Sequence, residues 1–170
     1  MKLAALTAAA LGAFATFDSP VVQVRDLAKE PTIAIVAWGA ANSQYGLRTR
    51  LDRNGEDIGA ARHGEHRLYV DPALVDARGG FALAVTQDGK LLRKTNDERD
   101  PDACRFDNVC SPAQTIGLGV PDSWLRSHRD GLVVTFRPHT GQNWTVRLDG
   151  SVIGAYLATI DSVSASLKKK

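Results

Sequence analysis

Leu47-Arg48-Thr49-Arg50-Leu51-Asp52-Arg53-Asn54-Gly55-Glu56-Asp57-Ile58 is the stretch whose reading decides the fold. Leu47, Thr49 and Leu51 alternate with Arg48, Arg50 and Asp52, which is the two-residue period of a strand with one buried face. Asn54-Gly55 then supplies the backbone angles of a tight hairpin. The segment Ile58–His63 reads as the returning strand, with Leu51 opposite Ile58, Arg50 opposite Gly59 and Arg48 opposite Ala61.

The same grammar recurs along the chain. Asp88-Gly89 separates Phe81–Thr86 from Lys90–Thr95, and Gly64-Glu65 suits a two-residue turn between Ile58–His63 and His66–Val70. Leu132, Val134 and Phe136 share one face, as do Trp144, Val146 and Leu148. Thr32-Ile33-Ala34-Ile35-Val36-Ala37-Trp38 is a continuous apolar run, as expected of a strand covered on both faces. Trp38 and Trp144 read as core. Trp124 reads as core too, with a binding anchor as the alternative.

Closely spaced hairpins of this kind predict a mainly β (α+β) fold. The expected architecture is an antiparallel β-sandwich or open barrel of about seven to nine strands. A single curved sheet wrapped around a helix is the alternative. That helix lies at the C-terminus, where Val152, Tyr156, Ile160, Val163 and Leu167 form one amphipathic stripe that should pack on the sheet. Ser151 is placed to cap it. Shorter helical turns are expected after Asp71-Pro72 and Pro121-Asp122, with proline at a first helical position.

The arginine-bearing hairpin carries an internal conflict. Its register leaves Arg48 and Arg50 on an uncrowded face with only small cross-strand neighbours and His63 further along. Such a face could take a carboxylate or phosphate. Extended through Gly64-Glu65, however, the same register puts Leu68 and Val70 on the arginine face. A bulge, or a different turn, is required.

Composition bounds the rest. The chain has 170 residues, 44% of them hydrophobic, and Lys+Arg 21 against Asp+Glu 19 leaves a formal charge of +2. That length suits one domain with a real core. The near-balanced charge argues against nonspecific nucleic-acid binding. Met1-Lys2, the apolar run Leu3–Ala13 and the small-x-small Ala13-Phe14-Ala15 read as a signal peptide over residues 1–15. Residues 16–170 then form a single β-rich domain, periplasmic or secreted and of bacterial type, with no transmembrane segment. Cys104 and Cys110, an even pair among turn formers, are expected to form a disulfide pinning the long loop Asn96–Pro112.

Three groups could carry chemistry. His63-Gly64-Glu65-His66 would place two imidazoles across a strand pair, close enough to share a metal, but the string supplies no third ligand. Arg48 and Arg50, with His63 and His66, form the candidate ligand-binding set. Asp97, Asp100, Asp102 and Asp107 could offer oxygens to calcium, although the loop pattern of a calcium hand is missing. No nucleophile elbow, phosphate loop or dinucleotide fingerprint is present, and Gly117-Leu118-Gly119 lacks the third glycine. No catalytic residue, cofactor or metal is therefore assigned. The favoured expectation is a non-enzymatic exported domain that binds a protein, glycan or small ligand. The alternative is a small metal-dependent hydrolase centred on His63, Glu65 and His66.

Overall fold

The computed structural model describes residues 20–27, 32–38, 45–59, 64–70, 82–95 and 116–169. The expected signal segment 1–15, the expected helical turn after Asp71-Pro72, His63, Cys104, Cys110 and the expected acidic loop 96–112 lie outside the described residues.

Among the described residues, nine strands and two helices follow in order: β1 (Val21–Leu27), β2 (Thr32–Trp38), β3 (Tyr45–Asp52), β4 (Glu65–Val70), β5 (Leu83–Thr86), β6 (Leu91–Thr95), β7 (Ile116–Pro121), α1 (Asp122–Ser127), β8 (Gly131–Arg137), β9 (Trp144–Asp149) and α2 (Gly150–Leu167). Every pairing is antiparallel, and the strands form one sheet in the order β1-β2-β3-β4-β7-β6-β5-β8-β9. Strand twist accumulates with one hand across so many neighbours. The sheet accordingly curls into a half-barrel, and α2 packs against β1 and β2 near one end and β8 and β9 at the other. The expected mainly antiparallel β fold with a C-terminal helix packed on the sheet is present, as a single curled half-barrel sheet; of the architectures expected, the sandwich of two facing sheets is not confirmed. One element fills the space that a second sheet would have covered.

The helix stripe behaves as its periodicity requires. Val152, Ile153, Tyr156, Leu157 and Ile160 are buried, and Val163 and Leu167 are half-buried against the core. At about 2 kcal/mol per buried side chain, this face contributes roughly 10 kcal/mol as an upper estimate. The helix begins at Gly150, with Asp149 rather than Ser151 at the cap position. The Asp149 backbone N–H donates to Tyr45 Oη at 2.9 Å, which ties β3 to the β9–α2 junction. Pro121 likewise stands just before α1 rather than inside it. On β8 and β9, Phe136 and Trp144 stack with ring centroids 4.0 Å apart. Trp124 is buried, and its indole N–H donates to Asp88 Oδ2 at 3.2 Å.

The arginine hairpin is resolved by its turn. Asn54 does not take a positive φ, whereas Gly55 lies at φ 80°. Gly55 N donates to Asp52 O at 3.1 Å and Asp52 N donates to Glu56 O at 2.9 Å, so the loop holds three residues instead of two. Asp52 Oδ1 holds this turn by accepting from the Asn54 and Glu56 backbone N–H groups. One extra loop residue moves the return pairing by one position, setting Leu51 opposite Asp57. The neighbour of β3 further along is β4, with Leu47 opposite Leu68 and Arg48 opposite Arg67. Leu68 and Val70 therefore join Leu47 in the core, and the arginines take the outer face.

That outer face is not the open surface expected for Arg48 and Arg50. Arg48 is only 2% exposed and Arg50 is half-buried. The opposing residue of Arg48 is the long Arg67, which lies over the Tyr69 ring at 5.7 Å, rather than Ala61. The glycines of Gly117-Leu118-Gly119 serve this packing. A Cβ on Gly119 would meet Glu65 Oε2 at 2.8 Å, so its absence lets Glu65 reach across β7 to Arg93.

Two glycine turns supply a test. Gly55 (φ +80°) and Gly89 (φ +78°) share a conformation, but a Cβ on Gly55 would lie 2.6 Å from the Ser164 carbonyl oxygen of α2, while Gly89 has open space. Gly89→Ala should lose about 1–2 kcal/mol, the ordinary penalty of a left-handed residue. Gly55→Ala should lose measurably more in urea unfolding, because the turn must also move off the helix. Equal losses would show that the turn does not bear on α2.

Candidate functional site

His66 occupies an inward position of β4, in step with Leu68 and Val70, and has no solvent exposure. A polar ring on an apolar face must find partners, since an unpaired buried polar group costs about 1–3 kcal/mol. Its partners come from both helices. Tyr156 Oη of α2 lies 3.2 Å from Nδ1, and Asp122 Oδ1, at the first residue of α1, lies 2.9 Å from Nε2. The two rings meet edge to face with centroids 5.4 Å apart.

The proton positions follow from the neighbours. Burial pushes the Tyr156 phenol well above its ordinary range, so its hydroxyl keeps its hydrogen beside Nδ1. The hydrogen bond from His66, reinforced by Arg126, holds the Asp122 carboxyl down at about 2. An ionised carboxylate only accepts, so Nε2 carries the ring proton and donates it. Every polar atom of the imidazole is then satisfied.

The chain of polar groups continues outward. Arg126 Nε donates to both Asp122 oxygens at 3.0 and 2.8 Å, and its two terminal nitrogens fork onto Asp161 of α2 at 3.1 and 2.8 Å. Held first by Asp161 and then by Asp122, the guanidinium is shifted upward from its ordinary value. On the opposite side stands Asp57, carried there by the turn that follows β3. Its Oδ1 accepts from Thr49 Oγ1 at 2.7 Å and from the Gly59 N–H at 2.8 Å. Asp57, His66 and Asp122 each present one potential ligand atom, and these atoms all lie within 4.8 Å of one another.

A groove of about 540 Å³ opens over this cluster. Asp57, Asp122, Asp161 and Glu56 line it together with Arg126 and Lys168, so carboxylates outnumber cations by two. The carboxylates form its wall, and His66 meets it through its bond to Asp122.

Of the residues expected to act together, only His66 enters this cluster. Glu65, one residue away on a strand, faces the outer side and pairs with Arg93 at 2.6 Å. Arg48 and Arg50 belong to that outer side as well, and His63 is outside the described residues. Sequence reasoning passed over Asp57, Asp122 and Tyr156 as site members. One signal was present: His66 keeps the parity of Leu68 and Val70, which marks it as buried and in need of partners. The partners are 56 and 90 residues away in the chain, beyond any local pattern.

Compared with protein-family models, curated proteins and solved structures, the chain matches none. Among the described residues, no helix is long and apolar enough to cross a membrane.

The ion pair has a pH signature. Asp122 titrates near 3.8 when unconstrained and at about 2 in the fold, so its stabilisation is complete above the first value and lost as pH falls towards the second. Allowing for solvent screening of a side chain 30% exposed, Asp122→Asn should lower stability at pH 7 by about 1–2 kcal/mol. The gap between wild type and variant should close as pH drops from about 4 to about 2. A gap independent of pH would show that the carboxylate charge is not what stabilises this junction.

Proposed function

We propose that this chain is an exported β-domain that binds a ligand, without transforming it, in the groove above the Asp122–His66 pair. The observation that carries the reading is the groove itself, a concave surface of about 540 Å³ with six ionisable side chains on its wall. Excess carboxylate favours a ligand with positive charge, whether a small molecule, a basic protein segment or an amino-bearing glycan. The setting of His66 supports binding over catalysis. Both ring nitrogens are held, by Tyr156 and Asp122, and among the described residues no serine, threonine or cysteine oxygen or sulfur bonds to either. A hydrolase centred on Glu65 and His66 loses its carboxylate to Arg93.

Export rests on the N-terminal charge-apolar-small pattern and on the paired cysteines. Native mass spectrometry on protein recovered from its own cells tests both halves. The expected species is extracytoplasmic, begins at Thr16, is two hydrogens lighter than the reduced chain and retains a ligand. The ligand should be weakened by Glu56→Gln, which removes one of the groove's carboxylates. Recovery of the intact chain from the cytosol with Cys104 and Cys110 free would falsify the export reading, and a ligand unaffected by Glu56→Gln would remove the groove from the function.

A further inference from the structure

We propose that Asp57, His66 and Asp122 hold a divalent transition metal ion at the wall of the groove. This rests on the groove being the binding face, and it names what the groove holds.

The geometry carries the assignment. The three ligand atoms come from three separate elements, the turn after β3, strand β4 and the start of α1, and converge within 4.8 Å of one another. Ligands bonded tetrahedrally at roughly 2.0–2.2 Å lie about 3.3–3.6 Å apart, so atoms now within 4.8 Å of one another draw together by up to about 1–1.5 Å on the ion. One imidazole with two carboxylates suits Zn²⁺ or Mn²⁺ better than Ca²⁺ or Mg²⁺, which take all-oxygen sites.

Each ligand is also oriented by a second group, as metal ligands usually are. Thr49 and the Gly59 N–H hold Asp57 Oδ1, and Asp57 Oδ2 makes no hydrogen bond to the described residues. Arg126 holds Asp122, and Tyr156 holds the far nitrogen of His66. Binding needs one proton relocation. The ring hydrogen leaves Nε2, whose lone pair turns to the metal, and Nδ1 carries the hydrogen with the Tyr156 oxygen as acceptor. The groove supplies the entry path, and its two surplus negative charges match the charge of the ion. Arg126 bridges Asp122 and Asp161 and offsets one of their two charges, and Lys168 offsets one of the two on Asp57 and Glu56, which leaves the surplus of two.

Full-length protein freed of metal by chelation would be titrated calorimetrically with Zn²⁺, Mn²⁺, Ca²⁺ and Mg²⁺. Zn²⁺ or Mn²⁺ should saturate at one ion per chain, with Ca²⁺ and Mg²⁺ at least about tenfold weaker. Asp57→Asn keeps an Oδ1 acceptor for Thr49 and Gly59, so it should keep the metal-free melting temperature while weakening the ion more than about tenfold. His66→Gln should weaken it too. Asp26→Asn, which removes a carboxylate paired with Arg53 on the edge strand, should leave affinity unchanged. No saturable binding, or binding indifferent to Asp57→Asn, overturns the metal assignment. An organic ligand recovered from the groove without metal overturns this assignment alone and leaves the groove reading intact.

Discussion

The hydrogen-bonded chain Tyr156–His66–Asp122 is the constraint on which the rest of the molecule hangs. It runs through the junction where sheet, short helix and long helix meet, with His66 and Tyr156 both fully buried. Apolar packing alone would tolerate small slides of α2 inside the curled sheet, because hydrophobic contact is not directional. A hydroxyl that must reach one ring nitrogen is not so tolerant. Turning the helix by one residue rotates Tyr156 by about 100° and leaves both partners unsatisfied. The polar chain thus adds register to a helix whose binding energy comes from Val152, Ile153, Leu157 and Ile160.

The same chain organises charge from inside to outside. At its inner end the groups, His66 and Tyr156, are buried. At its outer end Asp122, Arg126 and Asp161 form a network half in water, where solvent repays part of the desolvation that a fully buried pair would suffer. The groove stands at that boundary. Its carboxylates are held by fixed donors and remain accessible, the condition under which a site can take a cation without first ordering itself. The outer sheet face follows the opposite logic: Glu65 and Arg93 join over a glycine, and Arg67 covers Tyr69, so its charges are spent on internal contacts.

Much of the fold was readable locally. Alternation identified β3, β8 and β9, the continuous apolar run identified β2 as covered on both faces, and a single stripe identified α2. The turn dipeptides located the hairpins but not their length. Asn54-Gly55 is compatible with two-residue and three-residue loops, and the choice between them flips every side chain of the returning segment to the other face. Asp52 settled it by capping the backbone N–H groups of Asn54 and Glu56, a local bond whose consequence for Arg48 is felt across the sheet.

Sequence by itself located every described strand except β1 and β7, and helix α2, because helical and strand periodicity and turn chemistry act over a few residues. It read His66 only as a candidate ligand-binding residue at a hairpin tip, not as a buried one. Only the tertiary structure decided that nine strands make one curled sheet, since that depends on β4 pairing with β7 and β5 with β8 across long connections. It alone brought Asp57, Asp122 and Tyr156 to His66, because those partners are joined by the curl of the sheet and the seat of the helix and by no spacing along the chain.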